Sequence, residues 1–246
     1  MTAAPLTVRA LARSYRTGFL GLGRRSVLDG LGLELSPGER VLIAGPNGSG
    51  KSTLLRILAG IEAADAGEVL VFGEPITALA ARRRIGYAAD TCPYPDELRG
   101  SEALALAGRL AGLPSSEAKR AAAEGLERVG LAADARRRLG VYSKGMRRRF
   151  HLAQAFLGQP DLLLLDEPAD GLDAEGCVVL DELSREAHER GATMLIASHV
   201  TDLACERALV LFGGRVAWEG SEPELRDLPG GLLGLYRELA TCSATA

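Results

Sequence analysis

Eight consecutive residues, Gly45-Pro46-Asn47-Gly48-Ser49-Gly50-Lys51-Ser52, constrain this chain more than any other stretch. They match G-x-x-x-x-G-K-[ST], a phosphate-binding loop whose chemistry requires a strand before it and a helix after it. The flanks supply both. Arg40-Val41-Leu42-Ile43-Ala44 reads as a buried strand entering the loop, and Thr53-Leu54-Leu55-Arg56-Ile57-Leu58-Ala59 as a helix leaving it. Glycines let backbone N–H groups turn inward around phosphate oxygens, and the helix N-terminus adds its positive dipole end. Lys51 is placed to reach the outer phosphates of a nucleoside triphosphate, and Ser52 to ligate Mg²⁺. A compact ammonium suits this position where a planar guanidinium does not. The chain is rich in arginine, yet two of its three lysines, Lys51 and Lys144, fall in motifs of this kind.

A second pattern lies downstream. Asp161-Leu162-Leu163-Leu164-Leu165-Asp166-Glu167-Pro168 is a short apolar strand ending in two carboxylates. Asp166 is placed to hold Mg²⁺, directly or through water. Glu167 follows where the strand opens into a loop, the place for a base that polarises a water attacking the terminal phosphate. Between the two patterns stands Tyr142-Ser143-Lys144-Gly145-Met146-Arg147-Arg148-Arg149. Met146, Phe150, Ala153 and Leu157 then recur at helical spacing, and Ser143 sits where an N-cap belongs.

A capped helix shortly before an Asp-Glu strand is where ATP-binding-cassette proteins carry their signature motif, and the chain resembles that family over about residues 6–220. The resemblance implies that Gly45, Pro46, Asn47, Gly48, Ser49, Gly50, Lys51, Ser52 and Thr53 hold ATP. It implies that Ser143 and Gly145 bind the γ-phosphate of ATP held by an opposite subunit. Lys144 and Met146 replace the usual Gly and Gln. The Ser-Lys-Gly-Met variant resembles bacterial cassettes that pair with separately encoded export permeases. Ala169-Asp170-Gly171-Leu172-Asp173 matches the D-loop, and Asp173 joins the expected nucleotide contacts. His199, after the strand Thr193–Ser198, matches the switch histidine and counts with Glu167 and Lys51 as catalytic. Tyr15 matches the aromatic that stacks on adenine, and reads equally as a partly buried strand residue.

One position departs from the family. Ile85-Gly86-Tyr87-Ala88-Ala89 reads as the strand leading to the Q-loop, but the expected Gln is Asp90. Either Asp90 joins Ser52 and Asp166 around Mg²⁺ through a water, or the position no longer contacts the site.

The fold expected is α/β: a P-loop NTPase core with a mainly parallel sheet, an antiparallel β edge subdomain and an α-helical insertion. Residues 6–12 and 27–35 read as the antiparallel edge. Two helical patterns fill residues 101–130, broken at Gly112-Leu113-Pro114. The core plus β subdomain is expected at about 1–89 and 159–220, the helical subdomain at about 90–158, and a C-terminal helical segment at 221–246. The 246 residues suffice for one such domain, and no internal repeat is visible.

Charge is nearly balanced, 29 basic against 32 acidic residues, so nucleic acid is not an expected partner. The runs Arg82–Arg84 and Arg147–Arg149 read mostly as solvated helix faces; Arg136–Arg138 precede the signature, where the resemblance to exporters of the family offers permease contact as a minority reading. Cys92, Cys177, Cys205 and Cys242 lack C-x-x-C spacing, which fits a reducing compartment. No apolar run reaches the roughly 18 residues of a membrane span. The expected protein is a cytoplasmic ATPase, peripheral on the membrane through integral-membrane permease subunits. It works as a homodimer or with a closely related second ATPase. Two alternatives stand beside it: an ATP-gated regulator of a membrane protein, and a soluble cassette ATPase acting on nucleic acid.

Overall fold

The computed structural model describes residues 3–17, 23–89, 94–198 and 204–244. The chain begins with β1 (Leu6–Thr17), β2 (Gly23–Leu35) and β3 (Arg40–Ala44), then α1 (Lys51–Leu58), β4 (Ala66–Val71) and the short β5 (Glu74–Pro75). It continues through α2 (Leu79–Arg83), β6 (Ile85–Ala88), α3 (Gly100–Leu110), α4 (Ser115–Arg128), α5 (Lys144–Ala155) and β7 (Leu162–Asp166). It ends with α6 (Ala174–Glu189), β8 (Thr193–Ala197), β9 (Arg207–Phe212), β10 (Arg215–Ser221), α7 (Glu222–Asp227) and α8 (Gly231–Ala244).

These strands form two sheets. One is antiparallel, in the order β2-β1-β4-β5. Its inner face comes from period-two alternation: Leu6, Val8, Leu28, Leu31, Leu33 and Leu35 are buried while residues between them are more exposed. The hairpin runs further than its apolar pattern, because Tyr15 pairs with Arg25 and Thr17 with Gly23. That extension is polar on both faces. Ion pairs hold it: Arg13 meets Glu62 and Asp65, both at 2.9 Å.

The second sheet runs β10-β9-β3-β8-β7-β6. All its pairings are parallel except β10 with β9. Its central strands are apolar except at one end residue each, because both faces are covered. Alternate residues enter different cores. Leu42, Leu163, Leu165, Met194 and Ile196 pack on the side of α5 and α6. Val41, Ile43, Leu162, Leu164 and Leu195 pack with α1 and the antiparallel sheet. Each fully buried leucine in β7 contributes roughly 1.5–3 kcal/mol of transfer free energy.

Helices α3, α4 and α5 leave the chain between β6 and its neighbour β7, with α3 and α4 broken at Gly112-Leu113-Pro114 as expected. Strand β6 lies hard against the end of α5. A Cβ on Gly86 would fall 1.9 Å from the Ala155 carbonyl oxygen, so only glycine permits this approach. That contact lies in the amino-terminal half of β6, and the opposite end of α5 then reaches the carboxyl ends of β6 and β7.

The Arg147–Arg149 run is not a solvated face. Arg148 is only 5% exposed and Arg149 is half-buried. The reason is that α5 is covered on two sides. Phe150 and Ala153 lie on the anticipated apolar stripe, while Arg148, His151, Leu152 and Ala155 form a second buried stripe. Arg82 and Arg83 are exposed, as expected of a solvated face, and so are Arg136 to Arg138. Arg84 instead stacks over Phe72, 3.4 Å from the ring centroid, and bonds Asp161.

Candidate active site

The carboxyl ends of the parallel strands, where open α/β sheets bind ligands, carry the phosphate loop. Gly48 and Gly50 adopt φ of 80° and 108°, the left-handed turns that orient backbone N–H groups inward. Gly50 is the N-cap of α1, with no side-chain cap bond. The dipole end of α1 therefore faces the loop. Gly45 closes it on the strand side: a Cβ there would sit 2.5 Å from the Leu211 carbonyl oxygen.

Above the loop lies a cavity of about 650 Å³, within the range of small-molecule sites. Asn47, Gly48, Ser49, Gly50, Lys51, Ser52 and Thr53 line it, with Tyr15, Asp166 and Glu167. Lys51 is 7% exposed and donates to the Gly45 carbonyl oxygen at 2.6 Å. Its Nζ stands 4.0 Å from Glu167 Oε1. Burial pushes the Lys51 ammonium below the ordinary lysine range, against the opposing pull of Glu167 and Asp166.

Ser52 Oγ donates to Asp166 Oδ1 at 3.1 Å. Asp166 is 2% exposed, at the last position of β7, a strand flanked in the sheet by β6 and β8. Glu167 is the next residue, at φ 48°. A left-handed conformation costs a non-glycine residue roughly 1–2 kcal/mol, and such strain collects at functional sites.

Tyr15 reaches the cavity from the polar part of β1. Its hydroxyl donates to Glu62 at 2.5 Å and lies 3.3 Å from Thr53 Oγ1. The Arg13 guanidinium sits 5.0 Å from the ring centroid. Glu62 is held below the usual carboxylate range by its bonds to Tyr15, Arg56 and Arg13, which outweigh its desolvation. Arg25 and Asp170 also line the cavity and were not anticipated as site residues. The Tyr15–Arg25 register is the signal that places Arg25 there.

Ser143 and Gly145 do not line this cavity. Ser143 caps α5, its hydroxyl accepting from the Met146 N–H at 3.1 Å. Lys144 Nζ meets Asp170 Oδ2 at 3.0 Å, so the 143–145 turn lies beside the loop after Glu167. Asp173 caps α6 by accepting from the Gly176 N–H at 2.9 Å, and Arg149 stands 3.7 Å from it. Asp90 and His199 lie outside the described residues, as does Cys92. Cys205 is buried and Cys177 exposed, both as free thiols; burial pushes the Cys205 thiol up to about 12.

The profile of the ABC transporter family matches residues 28–170, more than half of the chain. Daunorubicin resistance ATP-binding protein DrrA3 of Streptomyces coeruleorubidus is 38% identical over 214 residues, covering 85% of this chain and 68% of that one. Nod factor export ATP-binding protein I of Paraburkholderia xenovorans is 36% identical over 208 residues, covering 82% and 68% respectively. Among solved structures, an ATP-binding subunit of an ABC transporter superposes with a TM-score of 0.81 at 29% identity, covering 96% of this chain and 99% of that one. A dimeric post-hydrolysis state of an ATP-binding cassette bound to ADP and Pi superposes at 0.80 and 25% identity, covering 88% and 98%. The chain belongs to the ABC transporter family, as an ATP-binding and ATP-hydrolysing subunit.

Proposed function

We propose that two copies of this chain, or this chain and a related ATPase, close around two ATP molecules and so drive export through separately encoded permease subunits. The observation that carries the chemistry is the convergence of Lys51, Ser52, Asp166 and Glu167 on one cavity. Lys51 neutralises the outer phosphates and the loop N–H groups orient them. Glu167 takes the proton from the attacking water. Tyr15, oriented by Glu62, stacks on the adenine.

Ser52 and Asp166 offer adjacent hard oxygen donors, the set Mg²⁺ prefers, and no cluster of three acidic, His or Cys ligands exists among the described residues. Bound there, Mg²⁺ offsets phosphate charge. Asp90, through a water, and His199, against the γ-phosphate, complete the site in this reading, which for both rests on sequence.

Ser143 and Gly145 cap the partner's ATP, and the loop ending at Asp173 crosses the interface. Their absence from the chain's own cavity supports this arrangement. The core and β subdomain, at about 1–89 and 159–220, then move against a helical subdomain at about 90–158, with 221–246 as an appendage. No helix among the described residues is long and apolar enough to cross a membrane. In this reading the permease holds the ATPase at the cytoplasmic face of the membrane. Export direction follows the relatives named for resistance and export.

Co-purification with an integral-membrane partner, then ATP-dependent flux in vesicles, tests the proposal. Flux lost with an inactive ATPase is expected. A stable membrane complex without flux would indicate a regulator, and capture of nucleic acid alone would indicate a soluble machine; either overturns it.

A further inference from the structure

Arg148, on the second turn of α5, reaches the backbone behind the hydrolytic residues without lining the cavity. Its Nη1 donates to the Ala89 carbonyl oxygen at 3.0 Å, and its Nη2 to the Asp166 carbonyl oxygen at 3.0 Å. Nη2 also donates to the Glu167 carbonyl oxygen. One turn along the same stripe, His151 Nδ1 lies 3.0 Å from the same Ala89 carbonyl oxygen.

These contacts fall on the strained residue. Glu167 sits at φ 48°, a conformation that persists only where its surroundings over-determine it. Two backbone bonds contribute: the Glu167 N–H donates to the Ala197 carbonyl oxygen at 2.8 Å, and the Asp170 N–H to the Glu167 carbonyl oxygen at 3.0 Å. Arg148 supplies a third hold, from helix α5, and it is charge-assisted and hence stronger than a neutral bond. It also ties Glu167 to Ala89, the last described residue before Asp90.

We propose that Arg148 is a positioning residue for hydrolysis. Its guanidinium fixes the Asp166–Glu167 backbone so that the Glu167 carboxylate points at the nucleotide cavity, and it joins that turn to the end of β6. Arginine suits the position because its planar fork serves three carbonyls from fixed directions, where a point-charge ammonium serves fewer. Ser143 caps the same helix, so a shift of α5 at its exposed end is transmitted to Glu167 through this side chain. The inference rests on Glu167 being the base.

Steady-state and single-turnover ATPase of Arg148→Lys and Arg148→Met test it, each also combined with Glu167→Gln. Misplacing a catalytic group by about 1 Å costs on the order of 100-fold. Arg148→Met is therefore expected to lower kcat by about 10- to 100-fold, with KM for ATP changed less than about threefold. Arg148→Lys is expected to recover part of the loss, because an ammonium still serves one or two carbonyls. In the Glu167→Gln background neither change should lower the residual rate further, since Arg148 acts through a group already removed. Arg148→Lys, the milder change, decides the matter if Arg148→Met fails to fold. Wild-type kcat in the Arg148 variants beside an inactive Glu167→Gln protein would overturn the assignment alone. So would an equal loss in the Glu167→Gln background. Near-wild-type turnover of Glu167→Gln by itself would instead remove the reading on which the inference rests.

Discussion

Glu167→Gln is expected to bind ATP and scarcely hydrolyse it. General-base terms are worth about 10²–10⁴-fold, and that is the loss predicted in kcat. Gln keeps the length, volume and hydrogen-bonding shape of Glu, so the left-handed backbone at this position and its bonds to Ala197 and Asp170 are retained. The substitution also removes one negative charge from a cavity that already holds the buried Asp166 carboxylate. A polyanionic nucleotide is then repelled less, so affinity should hold or rise. The ATP-loaded protein should accumulate as a dimer on size exclusion. Turnover near that of the wild type would remove Glu167 from its assigned role.

Lys51→Met should separate stability from ligand binding. Burial holds the Lys51 pKa below its unfolded value, so in the nucleotide-free protein the protonated form opposes folding. The sign follows by linkage: this penalty is fully present below the folded pKa and fades as pH rises from there to the unfolded value. A methionine keeps most of the apolar stem and removes the buried charge, while leaving the Gly45 carbonyl without its 2.6 Å donor. The two effects oppose each other. The melting temperature without ATP should therefore move by no more than about 4 °C, the equivalent of about 1 kcal/mol in a domain of this size. The wild type, with ATP at about 100 times its Kd, should gain about 2.7 kcal/mol, and the variant should show no such rise. Thermal scans with and without ATP read both. An ATP-induced shift equal to that of the wild type would mean Lys51 does not meet the phosphates.

What was legible in the sequence divides along a physical line. The phosphate loop and the Asp166-Glu167 strand were readable because their chemistry tolerates few residue types and their flanks are apolar. The parallel strands are continuous apolar runs for the same reason, being covered on both faces. The hairpin beyond residue 12 was not readable. Arg13, Ser14, Arg24 and Arg25 make no apolar alternation, and what holds that ribbon is its ion pairs to Glu62 and Asp65 across many residues of chain. Arg148 was misread because three consecutive arginines on a helix usually face water. Its burial depends on where α5 lands against β6 and β7, set in part by the absent side chain at Gly86. The signature turn was recognised by resemblance. Its local geometry, a serine capping a helix beside the Asp170 loop, does not by itself show which nucleotide it serves.

Mixing two inactive chains tests most directly which nucleotide the signature turn serves. A Lys51→Met chain carries a disabled phosphate loop and an intact signature turn. A Ser143→Arg chain carries the reverse, at a cost of about 1 kcal/mol for the lost helix cap. If each ATP lies between the loop of one chain and the turn of the other, both homodimers lack any complete site, while a mixed dimer has one. ATPase activity should then be near background for each chain alone. It should appear on mixing, approaching one quarter of the wild-type rate per chain at equal amounts if pairing is random and the sites are independent. Full activity of the Ser143→Arg chain alone, or no activity from a mixture shown to contain mixed dimers, would contradict the shared site.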